Sequence, residues 1–377
     1  MQSFFYLNLA LFFYAYFGYP LTLAFINLFK RHSRFSNSEV SIELPSVTII
    51  LPVYNEQNVI KSKLFNLSRL QYPLDKVEFV VVSDGSDDDT CSIVRAIGLS
   101  NLKLIEIINR QGKANALNVG IKNATHPLIV FTDASIMLQP EALANIVRNF
   151  KNPKVGCISG EDHIEGNETE GLYGKYELLL RNLESKAFSI VGASGCFYAQ
   201  RKNLVPFFKE GMPPDFLSVL NTAKNGYISL TDRNAVGFMK STKDSSQEFA
   251  RKVRTILRGM YTLYHHRELL NFKKYGIFSF ELFCHKILRW GVPFFLIFIF
   301  LSNIFLIHKT DIFYTFTFIT QILFYCLAVI PLFKNDFIKY QLTRVPYYFL
   351  YTNVAILAAF IQFLQGKRQE IWNPTQR

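Results

Sequence analysis

The sequence predicts an α/β domain with a mostly parallel sheet, held between helices that cross a membrane. Three observations lead there. Between residues 43 and 267 short apolar runs alternate with amphipathic stretches, the pattern of right-handed βαβ units. One uncharged apolar stretch, Phe4 to Phe29, precedes this region. Three more follow it, Trp290 to Ile307, Ile312 to Phe333 and Val345 to Leu364. Spanning a bilayer takes ~20 apolar residues, which each run approaches or exceeds.

The first stretch reads as an anchor rather than a cleaved signal peptide. It is too long for one, lacks a basic start and has no small-residue cleavage site. The organisation is then an anchor over 1–34, a domain over 43–267, an interfacial amphipathic segment over 268–289, three spans over 290–366 and a tail over 367–377. Lys286 and Arg289 among aromatics give the 268–289 segment its interfacial character. Lys30, Arg31 and Arg34 follow the first span, whereas Met1 to Ser3 carry no side-chain charge. The positive-inside rule therefore places the domain in the cytoplasm, on an integral protein of the plasma (inner) membrane. Lys367, Arg368 and Arg377 favour that same side, which three further spans would not give; a re-entrant span at Pro331 or Pro346 would reconcile the two.

Half of the 377 residues are hydrophobic, with 37 Phe and 19 Tyr, and the net charge is +12. Such a charge raises the question of nucleic acid. Basic residues beside spans have a simpler partner in anionic membrane lipid, and no nucleic acid partner is expected. The five cysteines are scattered, without Cys-x-x-Cys or Cys/His spacing, so neither a disulfide framework nor a zinc site is expected.

Within the domain, Val47–Val53 is a buried strand, and Glu56 to Leu67 a helix with apolar spacing at Val59, Ile60, Leu64 and Leu67. Val77 to Val82 is a second strand, followed by "SDGSDDDT" and a helix from Cys91 to Ile97. Leu102 to Ile107 is a third strand, with a helix from Lys113 to Ile121. Leu128 to Thr132 is a fourth, and Pro140 opens a helix to Phe150 as a first-turn proline does.

The unusual polar residues fall at the carboxyl ends of these strands. Tyr54, Asn55 and Glu56 follow the first, Asp84 the second and Asp133 the fourth. Open α/β sheets bind ligands in a crevice at that edge. "NRQGKANALNVG", Asn109 to Gly120, adds Lys113 at a helix start, a place suited to anions. Taken singly, "SDGSDDDT" is a turn and helix cap, Asp133 a strand cap and Lys113 a solvated residue. Four such features on one edge point to a nucleoside diphosphate with a divalent cation, Mg²⁺ or Mn²⁺, which needs only one or two carboxylates. Asp84 and Asp133 can each accept from ribose or base or hold such a cation through oxygen, and Ser135 stands where a second carboxylate beside Asp133 would complete a metal-binding pair. No Gly-x-Gly-x-x-Gly follows the first strand and no Walker loop is present, which excludes those nucleotide sites.

"VTIILPVYNEQNVI", "VEFVVVSDGSDDDT", "RQGKANALNVG" and "LIVFTDAS" together resemble the successive motifs of the inverting family 2 glycosyltransferases. The resemblance covers Val47 to Arg258 and is nearest to the membrane-embedded cellulose-, chitin- and hyaluronan-synthase-like branch. It implies a GT-A fold and a nucleotide-sugar donor, taken as a UDP-sugar. Asp84 would then contact the nucleoside, with Tyr54, Asn55 and Glu56 beside it. Lys113 would lie near the nucleotide and Asp133 would bind the metal–diphosphate unit. "GASGCFYAQRK" is similar to the acceptor-side loop, giving Gly192, Ala193, Ser194 and Gly195. "PPDFLSVLNTAKNGY" resembles the segment of the catalytic base and puts Asp215 in that role. "EFARKVRTILRG" resembles the basic helix over the diphosphate and gives Arg251 and Arg254.

Two of these residues have bland readings of their own: Asp215 as the N-cap of a helix ending at Gly226, and the arginines as a basic face beside lipid. The chain also departs from the family pattern. Pro213 and Pro214 stand where an acid often precedes the base, and the Gln-x-x-Arg-Trp signature lacks its aromatic, because Lys252 follows Arg251 and Thr255 follows Arg254. That signature goes with processive synthases. The implied activity is transfer of one sugar to a lipid-linked or growing envelope glycan. A processive synthase and a nucleotide-sensing membrane scaffold or channel are its rivals.

Overall fold

The computed structural model describes residues 1–30, 44–165, 168–240, 245–307 and 312–367. Arg31, Arg34 and the tail beyond Lys367 lie outside the described residues. The chain divides into a sheet unit, Ile26–Lys243 with Tyr261–Glu281, and a helical unit, Met1–Phe25, Asp244–Met260 and Leu282–Lys367.

The sheet unit holds eight strands: β1 (Val47–Val53), β2 (Val77–Asp84), β3 (Leu102–Ile107), β4 (Leu128–Thr132), β5 (Ile136–Leu138), β6 (Val155–Glu165), β7 (Phe197–Arg201) and β8 (Ile228–Lys240). Their order is β3-β2-β1-β4-β7-β6-β8-β5. Strands β1 to β4 are parallel, Val47 facing Val77 on one side and Leu128 on the other. All seven residues of β1 and all five of β4 are buried, as expected where helices cover both faces of a parallel sheet. Beyond β4 the sheet turns mixed: β7 runs antiparallel to β4 and β6, β8 parallel to β6, and β5 antiparallel to β8.

In chain order the helices are α1 (Gln2–Leu28), α2 (Ile60–Ser68), α3 (Thr90–Ile97), α4 (Lys113–Asn123), α5 (Ala142–Arg148), α6 (Glu168–Ala187), α7 (Pro214–Lys224), α8 (Ser245–His265), α9 (Ile277–Leu306), α10 (Ile312–Phe333) and α11 (Gln341–Leu364). α4 lies hard against the sheet: a Cβ on Gly120 would come within 2.6 Å of Ile50 Cγ2. The chain runs outward from β1 through β2 to β3, then returns to β4 on the other side of β1. A crevice opens at such a reversal, outside the carboxyl ends of β1 and β4.

In the helical unit, α1, α9, α10 and α11 are each long and apolar enough to cross a membrane. Phe5 is fully buried with its ring 5.4 Å from that of Tyr314, and Tyr16 packs 5.5 Å from Phe349. On α8, Phe249 meets Tyr351 edge-on at 5.2 Å. The apolar run from Trp290 proves to be the second part of a longer helix. α9 begins at Ile277, passes through a π-helical turn at Phe283–Leu288 and continues to Leu306, so most of the segment expected to be interfacial is continuous with a span.

Candidate active site

At the carboxyl edge of the sheet, the loops after β1 and β2 interlock. Asn55 Nδ2 donates to Asp87 Oδ1 (2.6 Å) while Asp87 N donates to Asn55 Oδ1 (3.1 Å). Glu56 N donates to Thr90 Oγ1 (2.8 Å) and Gln57 N to Asp88 Oδ2 (3.1 Å). Asn55 takes φ +52°, a left-handed conformation that asparagine tolerates better than most residues. This clamp is why α2 starts at Ile60 and not at Glu56. The Arg110 guanidinium lies 3.8 Å above the centre of the Tyr54 ring, a cation–π stack at the mouth of the crevice.

Asp84, expected at the nucleoside, turns inward instead. It is 1% exposed, and its oxygens accept from Gln111 N (2.9 Å) and Gly112 N (2.7 Å). Its work is to hold the loop that delivers Lys113. Asp84→Asn sets an amide N–H₂ against one of those donors and is expected to cost about 1–3 kcal/mol of stability, read as a lower midpoint of thermal unfolding. The N-terminus of α4 does hold an anion, but the chain supplies it. Glu210 Oε1 accepts from Ala114 N (3.0 Å), and a Cβ on Gly112 (φ +96°) would fall 2.4 Å from that oxygen. Asn118 and Phe208 exchange hydrogen bonds at 2.8 and 2.9 Å and pin the Glu210 loop to α4.

Lys113 Nζ reaches Asp133 Oδ1 at 2.5 Å across the switch point. Burial pulls the Lys113 pKa down, but the charge and hydrogen bond of Asp133 carry the net shift upward. Burial, then the charges of Asp133 and Asp88, push Glu56 up to about 7, with Lys113 opposing. Beneath this pair, Lys63 of α2 is fully buried and donates to Thr132 Oγ1 (2.9 Å) and Ile136 O (2.7 Å). Among the described residues, no group of three or more His, Cys, Asp or Glu is placed to hold a metal.

The loop of Gly192 to Gly195 stands beside this carboxylate. Ser194 N donates to Ser159 Oγ (2.8 Å), and Ser194 Oγ accepts from Cys196 N and Phe197 N (3.2 and 3.1 Å). Ala193 and Ser194 are buried, Gly192 is half-buried and Gly195 is exposed. Asp133 N donates to Cys196 O (3.1 Å), which ties the two loops together. A Cβ on Gly195 would lie 3.9 Å from the Asp215 carboxylate, so a bare backbone surface faces that acid. α7 is capped by Pro213, not by Asp215, which sits in its first turn. A carboxylate is favoured there by the helix dipole.

Arg251 and Arg254 lie on the part of α8 that belongs to the helical unit. Burial, then the charge of Arg251, lowers the Arg254 pKa. Three residues of the sheet unit were not anticipated: Lys63, Arg110 and Glu210. Lys63 had a signal, since it sits three residues after Ile60 and one before Leu64, inside an apolar stripe.

Residues 48–205 match the model of the family described as glycosyl transferase family 2. A poly-beta-1,6-N-acetyl-D-glucosamine synthase of Staphylococcus aureus (strain MSSA476) is 30% identical over 191 residues, 47% of this chain and 45% of that protein. Its counterpart in Staphylococcus epidermidis is 28% identical over 171 residues, 43% of this chain and 40% of that protein. The chain thus spans about half the length of the curated relatives it matches. Among solved structures, the mannosyltransferase PcManGT from Pyrobaculum calidifontis, in complex with GDP-Man and Mn²⁺, has a TM-score of 0.76 at 24% identity, covering 97% of this chain and 99% of that one. This likeness establishes a common GT-A fold, with a Rossmann-like sheet and apolar flanking helices. The motif order read from the sequence, the strand reversal at β1 and β4 and the family model agree: residues 48–205 carry a glycosyl transferase family 2 domain.

Proposed function

We propose that the chain is a membrane-bound inverting glycosyltransferase, moving a sugar from a nucleoside diphosphate sugar to a lipid-linked or growing envelope glycan. The observation that carries this reading is the meeting, at one switch point, of the Lys113–Asp133 pair with Asp215 beside bare Gly195. An acceptor hydroxyl is a poor nucleophile, so Asp215 takes its proton as the oxygen attacks the anomeric carbon. The bond to the diphosphate breaks on the opposite face, which inverts the configuration. Lys113 answers the negative charge that grows on the leaving group. The N–H of Ala114 contributes less to that role, because Glu210 already occupies it.

A divalent cation suits the donor set. Asp133 spends Oδ1 on Lys113, while Oδ2 has no protein donor among the described residues. Mg²⁺ or Mn²⁺ accepts one such carboxylate and completes its shell with phosphate and water. When bound, the ion supplies positive charge to the diphosphate. The basic residues after α1 favour a cytoplasmic domain and a plasma-membrane setting.

The relatives' names leave two donors in view: N-acetylglucosamine occurs in the staphylococcal synthases' product and GDP-mannose in the Pyrobaculum complex. We place a UDP-sugar first. A panel of UDP- and GDP-sugars, offered to the purified chain with Mn²⁺ and a membrane glycolipid extract, is expected to release nucleoside diphosphate from one class. Release from none by folded protein would defeat the reading and favour a nucleotide-sensing scaffold. The polymer synthases among the relatives support a second reading, a processive synthase. Polymer protected inside liposomes would establish it, and single-sugar addition would dismiss it.

A further inference from the structure

We propose that Lys63 is a positioning residue for the cation–diphosphate subsite: its amine ties together the two ends of the Asp133–Ser135 turn and so sets where the Asp133 carboxylate stands. The inference rests on the donor-site reading given above. Thr132 closes β4 and Ile136 opens β5, with Asp133, Ala134 and Ser135 between them. Lys63 Nζ bonds to the hydroxyl of the first and the carbonyl of the second, at 2.9 and 2.7 Å, from a position with no solvent exposure. One side chain therefore bridges the turn from beneath, on a helix packed into the core.

A lysine is a poor choice for a site that needs only filling. A buried ammonium carries a large desolvation cost, and an apolar residue of similar volume usually serves as well or better. Among the described residues no carboxylate lies in ion-pair contact with Lys63. Burial accordingly lowers its pKa to about 7, with Asp133 and Cys196 opposing. A neutral amine has two N–H donors, and the two bonds account for both. What Lys63 supplies there is its pair of bonds across the turn, to Thr132 and Ile136. The turn it holds matters because the neighbouring Ser135 contributes no second carboxylate, which leaves Asp133 to place the cation alone. A displacement of about 1 Å in a site of this kind costs around a hundredfold.

The test uses the 377-residue chain in nanodiscs at pH 8. Mn²⁺ binding is followed by electron paramagnetic resonance with UDP or GDP, whichever the wild type binds, and nucleotide binding is measured again without metal. Lys63→Met is expected to weaken Mn²⁺ at least tenfold in the ternary complex, while metal-free nucleotide affinity stays within twofold. Thr132→Val removes one of the two ties and is expected to weaken Mn²⁺ about threefold. Should Lys63→Met not fold, Thr132→Val and Lys63→Gln carry the test, with the same metal-specific loss expected. A folded Lys63 variant binding Mn²⁺ within twofold of wild type overturns the proposal, whatever happens to its thermal stability. Parallel loss of metal-free nucleotide affinity also overturns it, since that marks general loosening. A wild type that binds neither nucleotide defeats the donor-site reading itself, a result distinct from either of these.

Discussion

Asp133→Asn is expected to lower donor turnover by about a thousandfold or more while leaving the fold intact. Asparagine is nearly the same shape but carries no charge. Lys113 loses the anion that it meets at 2.5 Å, and the candidate cation loses the carboxylate that would place it. A thousandfold is about 4 kcal/mol of barrier, in line with the several kcal/mol a bound metal contributes to a developing negative charge. Release of nucleoside diphosphate at saturating donor measures it, with thermal unfolding as the control. Turnover within tenfold of wild type would leave Lys113 to answer the charge on the leaving group without a cation placed by Asp133.

The second large effect is expected at Asp215. Removing a general base costs roughly 10²- to 10⁴-fold in rate, and Asp215→Asn should fall in that range. Its kinetic signature differs from that of Asp133→Asn. A base acts in the transition state, so kcat should drop while the KM for donor stays near wild type. Asp215 stands in the first turn of α7, behind the Pro213 cap, so thermal unfolding of the variant separates a loss of stability from a loss of rate. A rise in donor KM with unchanged kcat would assign Asp215 to binding and leave the base to be found elsewhere.

The parallel half of the sheet was legible because its strands are short uniform runs. Leu128–Thr132 was bounded correctly at both ends, since every residue in it is apolar or β-branched, with Pro127 before it and Asp133 after it. The antiparallel half was not legible. β8 passes through Thr231, Asp232, Arg233 and Asn234, a polar run that breaks the apolar pattern of a strand, and it is paired with strands far away in sequence. Periodicity also started α2 too early, because the Asn55–Asp87 clamp outweighs helix formation there. Within the candidate site, Lys113 and Asp133 were picked out by their places at element ends, and their side chains meet. Asp84 was picked out in the same way, and its oxygens accept from Gln111 and Gly112, a direction that a carboxylate after a strand does not announce. Glu210 could not have been found: its partner Ala114 is 96 residues away, and no spacing encodes that contact.

The antiparallel pairing of β4 with β7 sets Thr132 opposite Phe197, so the next residue of one strand and the preceding residue of the other, Asp133 and Cys196, meet across the ladder and are joined by a backbone bond. Such a pairing works as a ruler. In the proposed reaction, the separation between the departing group and the acceptor surface would be set by main-chain register, which side-chain changes leave alone, whereas a one-residue slip would turn every side chain to the other face. Pocket residues around that ruler are then free to diverge toward new donors and acceptors while the distance over which the bond is exchanged stays fixed.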